Sequence, residues 1–129
     1  MKIGIVGGTG GMGEGFALRW CANHQIVIGS RDKNKAAEVA SNYMKIAQEF
    51  YKDKIKGGGE GNISGDNNFD LGKKDLDILI LSIPYESISD TCSKLSQDLS
   101  DSCIIISPIV PMKWTEKGFT YIPLSLIHI

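Results

Sequence analysis

Lys2-Ile3-Gly4-Ile5-Val6-Gly7-Gly8-Thr9-Gly10-Gly11-Met12-Gly13 is a short apolar run that breaks into glycines. The loop reads G-x-G-x-x-G through Gly8, Gly10 and Gly13, and the apolar spacing from Gly13 to Asn23 is helical. Strand, glycine turn and helix in that order form the phosphate-binding opening of a dinucleotide fold. Glycine-rich loops are common, so the motif alone is weak evidence. Its weight comes from its context and from a second strand downstream. With no side chains at Gly8 and Gly10, a pyrophosphate can approach backbone N–H groups and the positive end of the following helix. Thr9 and Met12 line the same turn. The Thr9 hydroxyl can donate to a phosphate or close a local turn.

Outward from this stretch, strands and helices alternate. Ile3–Val6 is apolar apart from Gly4, as expected of a strand buried on both faces. The next helix is expected to bury Met12, Phe16, Ala17, Trp20 and Cys21. Gln25–Gly29 is a second strand, and a helix from Lys33 to Phe50 sets Ala36, Val39, Ala40, Tyr43, Ile46, Ala47 and Phe50 on one face. Residues 56–68 read as a mobile glycine-rich loop around one short strand near Asn62–Gly65. Asp77–Ile83 is a central strand that stops at Pro84, where a helix burying Ile88, Cys92, Leu95 and Leu99 begins. Cys103–Ser107 is the next strand, closed by Pro108 and Pro111. This alternation predicts an α/β fold: a Rossmann-type, doubly wound parallel sheet.

The 129 residues fit one domain, and 42% apolar with 22% charged residues is ordinary for a globular protein. A net charge of −1 argues against nucleic-acid binding. Charge is uneven: residues 31–56 carry seven Lys/Arg against four Asp/Glu, and residues 60–101 carry three against nine. The basic stretch follows the second strand, where a cofactor ribose would lie, although a solvated helix face explains most of its lysines. Three cysteines without C-x-x-C spacing indicate neither a disulfide framework nor a metal site. No leader and no membrane-length apolar run are evident, so a reduced, cytoplasmic location is expected.

The clue to cofactor choice lies at the end of the second strand. An NAD site usually places a carboxylate there to accept from the ribose hydroxyls. Gly29-Ser30-Arg31 stands there instead, with Lys35 one helical turn on. A hydroxyl and a guanidinium can hold a 2′-phosphate that a carboxylate would repel. NADP is therefore expected over NAD, with Asp32 capping the helix. Tyr85 and Ser89 follow the central strand near the expected crevice, where packing and cofactor contact are both open readings. His24 falls in a turn on the far side. There is no P-loop lysine, no Tyr-x-x-x-Lys, no G-x-S-x-G and no H-E-x-x-H. The chain has a cofactor cradle and no evident catalytic acid, base or nucleophile.

Gly7-Gly8-Thr9-Gly10 with Gly13, Gly15 and Ala17-Leu18-Arg19, then Ile28-Gly29-Ser30-Arg31, resembles the NADPH-dependent reductases of coenzyme F-420, a deazaflavin. Ser82-Ile83-Pro84-Tyr85, Ser107-Pro108-Ile109-Val110-Pro111 and Gly118-Phe119-Thr120-Tyr121 are similar to later segments of that family. The resemblance implies hydride transfer between NADP(H) and coenzyme F-420 as co-substrate. By matching position, it implies NADP contacts at Thr9, Gly10, Gly11, Met12, Ser30, Arg31 and Lys35, with Tyr85, Ser89 and Met112 near the nicotinamide side. It also implies a smaller helical region beyond this sequence, completing the deazaflavin pocket and a homodimer. Residues 1–121 are thus expected to form the NADP-binding domain. Residues 122–129 follow no family pattern and are left as an unassigned tail, a truncated or artefactual end. The other readings are an imine or β-hydroxyacid reductase domain and a non-catalytic NADP-binding sensor.

Overall fold

The computed structural model describes residues 1–52 and 62–122. Five parallel strands form one sheet: β1 (Lys2–Val6), β2 (Gln25–Ser30), β3 (Ile63–Asn67), β4 (Ile78–Leu81) and β5 (Ile104–Ile106). Their spatial order is β3-β2-β1-β4-β5. The chain runs outward from β1 to β3, then returns to place β4 on the other side of β1. That reversal makes the β1/β4 boundary the topological switch point, where open α/β sheets form their ligand crevice.

Side-chain alternation along the strands divides the core between two faces. Ile3, Ile5, Ile26, Ile28 and Ile80 pack against α1 (Gly11–Trp20) and α2 (Lys33–Tyr51). Val6, Val27, Leu79 and Leu81 pack on the opposite face against Leu71, Leu76 and Leu95. Leu95 belongs to α3 (Ile88–Leu95), and Leu71 to a 3-10 helix over Phe69–Lys74 that sequence periodicity did not anticipate. A hairpin of β6 (Met112–Thr115) and β7 (Gly118–Tyr121), also unanticipated, follows the sheet.

Several burial expectations are corrected. Met12 is exposed because it sits in the first turn of α1, at the open end of the sheet, and Phe16 and Trp20 are only half-buried, stacked at 4.9 Å. Ile46 and Phe50 are exposed near the end of α2, while Ala36, Ala40, Tyr43 and Ala47 form its buried stripe. Residues 62–68 are not a surface loop: β3 extends through Asn67, and Asp66 and Asn68 are buried. The expected glycine-rich segment over residues 57–61 and the tail over 123–129 lie outside the described residues.

Candidate functional site

The glycine loop is fastened before it can bind anything. Gly7 adopts φ +70°, and a Cβ there would collide with the Ser82 carbonyl of the neighbouring chain segment, so only glycine serves. The Gly8 N–H donates to the Gly29 carbonyl at 2.9 Å and to Ile5 at 3.2 Å. Tyr43, from α2, donates its hydroxyl to the Gly8 carbonyl at 3.4 Å, and burial raises its pKa. Gly13 lies against Gly8 and closes the helix onto the turn.

Gly8 therefore plays a different part from the expected one. Gly8 and Gly13 are buried, and neither lines a cleft; their missing side chains permit backbone packing. The open surface belongs to Gly10 and Gly11. A Cβ at Gly11 would meet nothing within 4 Å, and one at Gly10 only the Gly7 carbonyl at 3.6 Å. Gly10 is the N-cap of α1 and supplies no side-chain cap. The first-turn amides thus lack an intrahelical acceptor and face the cleft with the positive end of the helix dipole.

That cleft crosses the carboxyl ends of β1, β2 and β4 and has two compartments sharing Gly10, Ser82, Ile83 and Pro84. The first, about 420 Å³, brings Thr9, Ser30, Arg31 and Lys35 together with Asn68, Ser87 and Thr91. The second, about 450 Å³, is lined by Gly11, Met12, Tyr85, Glu86, Ile109, Met112 and Phe119. The first is polar and basic. The second is largely apolar.

Electrostatics sorts the basic residues at the first compartment. Asp66 takes Lys33 at 2.9 Å and Lys74 at 2.5 Å, together with the Asn67 N–H. Burial would raise its pKa, but the hydrogen bonds from Lys74 and Lys33 prevail and hold it at about 2. Asp32 accepts from the amides of Asn34 at 2.8 Å and Lys35 at 3.2 Å, so its carboxylate caps α2. Asp66 and Asp32 lie outside the lining, and Asp90, which belongs to it, is paired with Lys94 at 2.9 Å. Arg31 and Lys35 form no ion pair among the described residues. Two cations remain beside the end of β2 with their positive charge uncompensated.

Ser89 is the one expected contact in this region that the structure does not bring to the cleft. Tyr85–Ser87 winds as a 3-10 helix before α3 starts, so the serine at the cleft is Ser87. The Ser89 carbonyl instead accepts from Ser93 Oγ within α3 at 2.8 Å. Asn68, Ser82, Ser87, Thr91 and Phe119 are cleft residues that the sequence reading missed. Only Ser82, directly after an apolar strand, carried a local signal. His24 lies in the turn between α1 and β2, at the opposite end of the sheet, with Nδ1 buried and no partner for it among the described residues. Among the described residues no group of three His, Cys, Asp or Glu side chains could hold a metal ion.

A sheet of this order with a glycine turn at its switch point defines a dinucleotide-binding domain of the Rossmann class. Residues 2–111 match the family model described as NADP oxidoreductase, coenzyme F420-dependent. The chain belongs to that family. It is 44% identical over 112 residues to the F420-dependent NADP reductase of Methanocaldococcus jannaschii, covering 87% of this chain and 46% of the relative. Identity to the reductase of the same name from Methanothermobacter thermautotrophicus is 32% over 113 residues, covering 87% and 44%. The chain thus spans about half the length of the curated relatives it matches. Among solved structures, a candidate F420-dependent NADP reductase from Arthrobacter sp. FB24 superposes with a TM-score of 0.69 at 17% identity, over 97% of this chain and 52% of that one. Malate dehydrogenase from Archaeoglobus fulgidus, solved with NADH, gives 0.65 at 19% identity, over 87% and 41%. At such identities these structures speak for the fold alone. No helix among the described residues is long and apolar enough to cross a membrane.

Proposed function

We propose that this chain binds NADP(H) across the two compartments and holds the nicotinamide ring for hydride exchange with the deazaflavin F420, a reading supported by relatives named F420-dependent NADP reductase. The observation that carries this reading is the pair Arg31 and Lys35. Among the described residues neither has a carboxylate partner, and Ser30 ends β2 where an acidic residue would otherwise stand. The residues present fit the cofactor. Gly10 and Gly11 leave room for a pyrophosphate, the α1 amides can accept its charge, and Ser30, Arg31 and Lys35 can hold a 2′-phosphate. Met12, Tyr85 and Met112 would shape the apolar compartment for the nicotinamide.

When bound, NADPH supplies a hydride. The protein's part is positional: it must fix one ring, exclude water and leave the reacting face open. Tyr85 and Glu86 are the titratable side chains of the apolar compartment, and direct hydride transfer needs neither as acid or base. Residues 1–121 thus constitute the NADP-binding part, with the deazaflavin met at the outer side of that compartment. We place the reaction in the cytoplasm and expect a homodimer in the assembled enzyme.

The test adds NADPH to the protein with oxidised F420 and follows bleaching of the deazaflavin's visible absorbance band. Bleaching that requires both protein and NADPH supports the full reading. NADPH binding without bleaching restricts the chain to a cofactor-binding module. Absence of NADPH binding refutes both.

A further inference from the structure

The last residue of β3 and the one after it reach to β2 and the glycine loop in three places. Asn67 donates its side-chain amide to the Arg31 carbonyl at 2.9 Å. The Asn68 N–H donates to the Ser30 carbonyl at 2.8 Å. Asn68 Oδ1 accepts the Gly7 N–H at 3.0 Å. One short segment therefore ties the end of β2 to the start of the glycine loop.

The third bond fixes the orientation of the Asn68 carboxamide. An N–H can only donate, so Oδ1 must face Gly7 and Nδ2 must lie on the other branch. Asn68 is 7% exposed, and among the described residues nothing accepts from Nδ2. Asn68 also lines the compartment that holds Ser30, Arg31 and Lys35. The space for this carboxamide is built into the strand beside it: a Cβ at Gly29 would lie 2.5 Å from Oδ1. If satisfying Gly7 were its whole role, an aspartate would serve as well. Nδ2 itself is not buried and keeps access to the compartment, where water or a ligand oxygen can accept from it.

We propose that Asn68 is a further cofactor-binding residue, whose Nδ2 donates to an oxygen on the adenosine half of the bound dinucleotide. The inference rests on the NADP reading above and assigns a contact to a residue outside the recognisable loop motif. Through Oδ1 the same side chain transmits the position of the adenosine half to the phosphate loop.

Asn68→Asp keeps an acceptor for Gly7 and removes the donor. Because its charge would also repel a 2′-phosphate, it is read with NADH as well, whose binding must weaken too if the donor is used. The expected result is NADPH affinity at least about tenfold weaker, with the melting temperature of the ligand-free protein close to wild type. Wild-type protein provides a second readout that does not depend on the variant folding. Its Asn68 side-chain NH2 resonances should move on saturation with adenosine 2′,5′-bisphosphate and stay still with nicotinamide mononucleotide. Resonances unmoved by the bisphosphate, or moved by the mononucleotide instead, overturn the proposal. So does a folded Asn68→Asp protein that binds NADPH like wild type. If wild type binds neither NADPH nor the bisphosphate, the reading of the cleft falls with it. If it binds both while Asn68 stays silent, only this inference is lost.

Discussion

Gly13 packs so tightly on Gly8 that a Cβ at position 13 would lie 2.5 Å from the Gly8 Cα and 2.7 Å from its carbonyl. Both atoms are backbone and pinned by the Gly8 hydrogen bonds, so neither can give way cheaply. The glycine motif here serves first to dock a helix and only then to admit a ligand.

Gly13→Ala should therefore destabilise the fold by about 1–3 kcal/mol, the usual cost of overpacking. It should also weaken NADPH binding, because the helix amides move off the phosphate. Thermal melts and a fluorescence titration with NADPH check both effects. Gly11→Ala serves as the contrast, since its Cβ would meet nothing within 4 Å. It should melt like wild type.

Arg31 should discriminate between cofactors. Loss of a charge-assisted contact removes roughly 1.5–3 kcal/mol. Arg31→Ala is expected to weaken NADP(H) binding by about one to two orders of magnitude and to leave NAD(H) nearly unchanged. Parallel titrations with the two cofactors measure this. Equal losses for both would show that the guanidinium does not read the 2′-phosphate.

Asp66 should impose a pH dependence on stability. Its pKa in the folded protein is about 2, below the ordinary 3.8 of the unfolded chain. A depressed carboxylate contributes stability that is complete above the unfolded value and declines as pH falls from near 4 through 2. The shift corresponds to roughly 2 kcal/mol at neutral pH. Asp66→Asn should accordingly unfold at lower urea than wild type at pH 7. The gap should narrow as pH is lowered through that window. A gap that does not depend on pH would mean that the two lysines contribute nothing through charge.

The β5 edge should govern solubility. Ile104, Ile105 and Ile106 are 61%, 52% and 44% exposed, and β5 is an edge strand with nothing paired to its outer side among the described residues. Such edges invite association. Ile105→Lys should reduce concentration-dependent association without lowering the melting temperature, as read by light scattering and thermal melts. An unchanged scattering profile would exonerate this edge.

The part of the fold carried by local pattern was legible. Alternating apolar strands and helical stripes gave the parallel sheet, and Gly8, Gly10 and Gly13 located its phosphate turn. Ser30, Arg31 and Lys35 could be placed because they immediately follow a readable strand. What escaped depends on contacts distant in sequence or on local winding. Asn68 meets Gly7 across 61 residues, and nothing in Gly65-Asp66-Asn67-Asn68 distinguishes a buried latch from a turn. A continuous helix starting at Pro84 sets Ser89 one turn beyond Tyr85, and periodicity alone gives no reason to break it. The 3-10 turn at Tyr85–Ser87 changes which serine reaches the cleft. Helical periodicity sets Met12 inside, whereas its place in the glycine turn puts it at the cleft, because periodicity does not show where a sheet ends and its crevice begins.

Calorimetric titration of the folded chain with NADPH and with NADH tests the central claim most directly. The account predicts saturable one-site binding of NADPH, tighter than NADH by at least about tenfold, consistent with a charge-assisted phosphate contact. No heat with either nucleotide, or tighter binding of NADH, would contradict it.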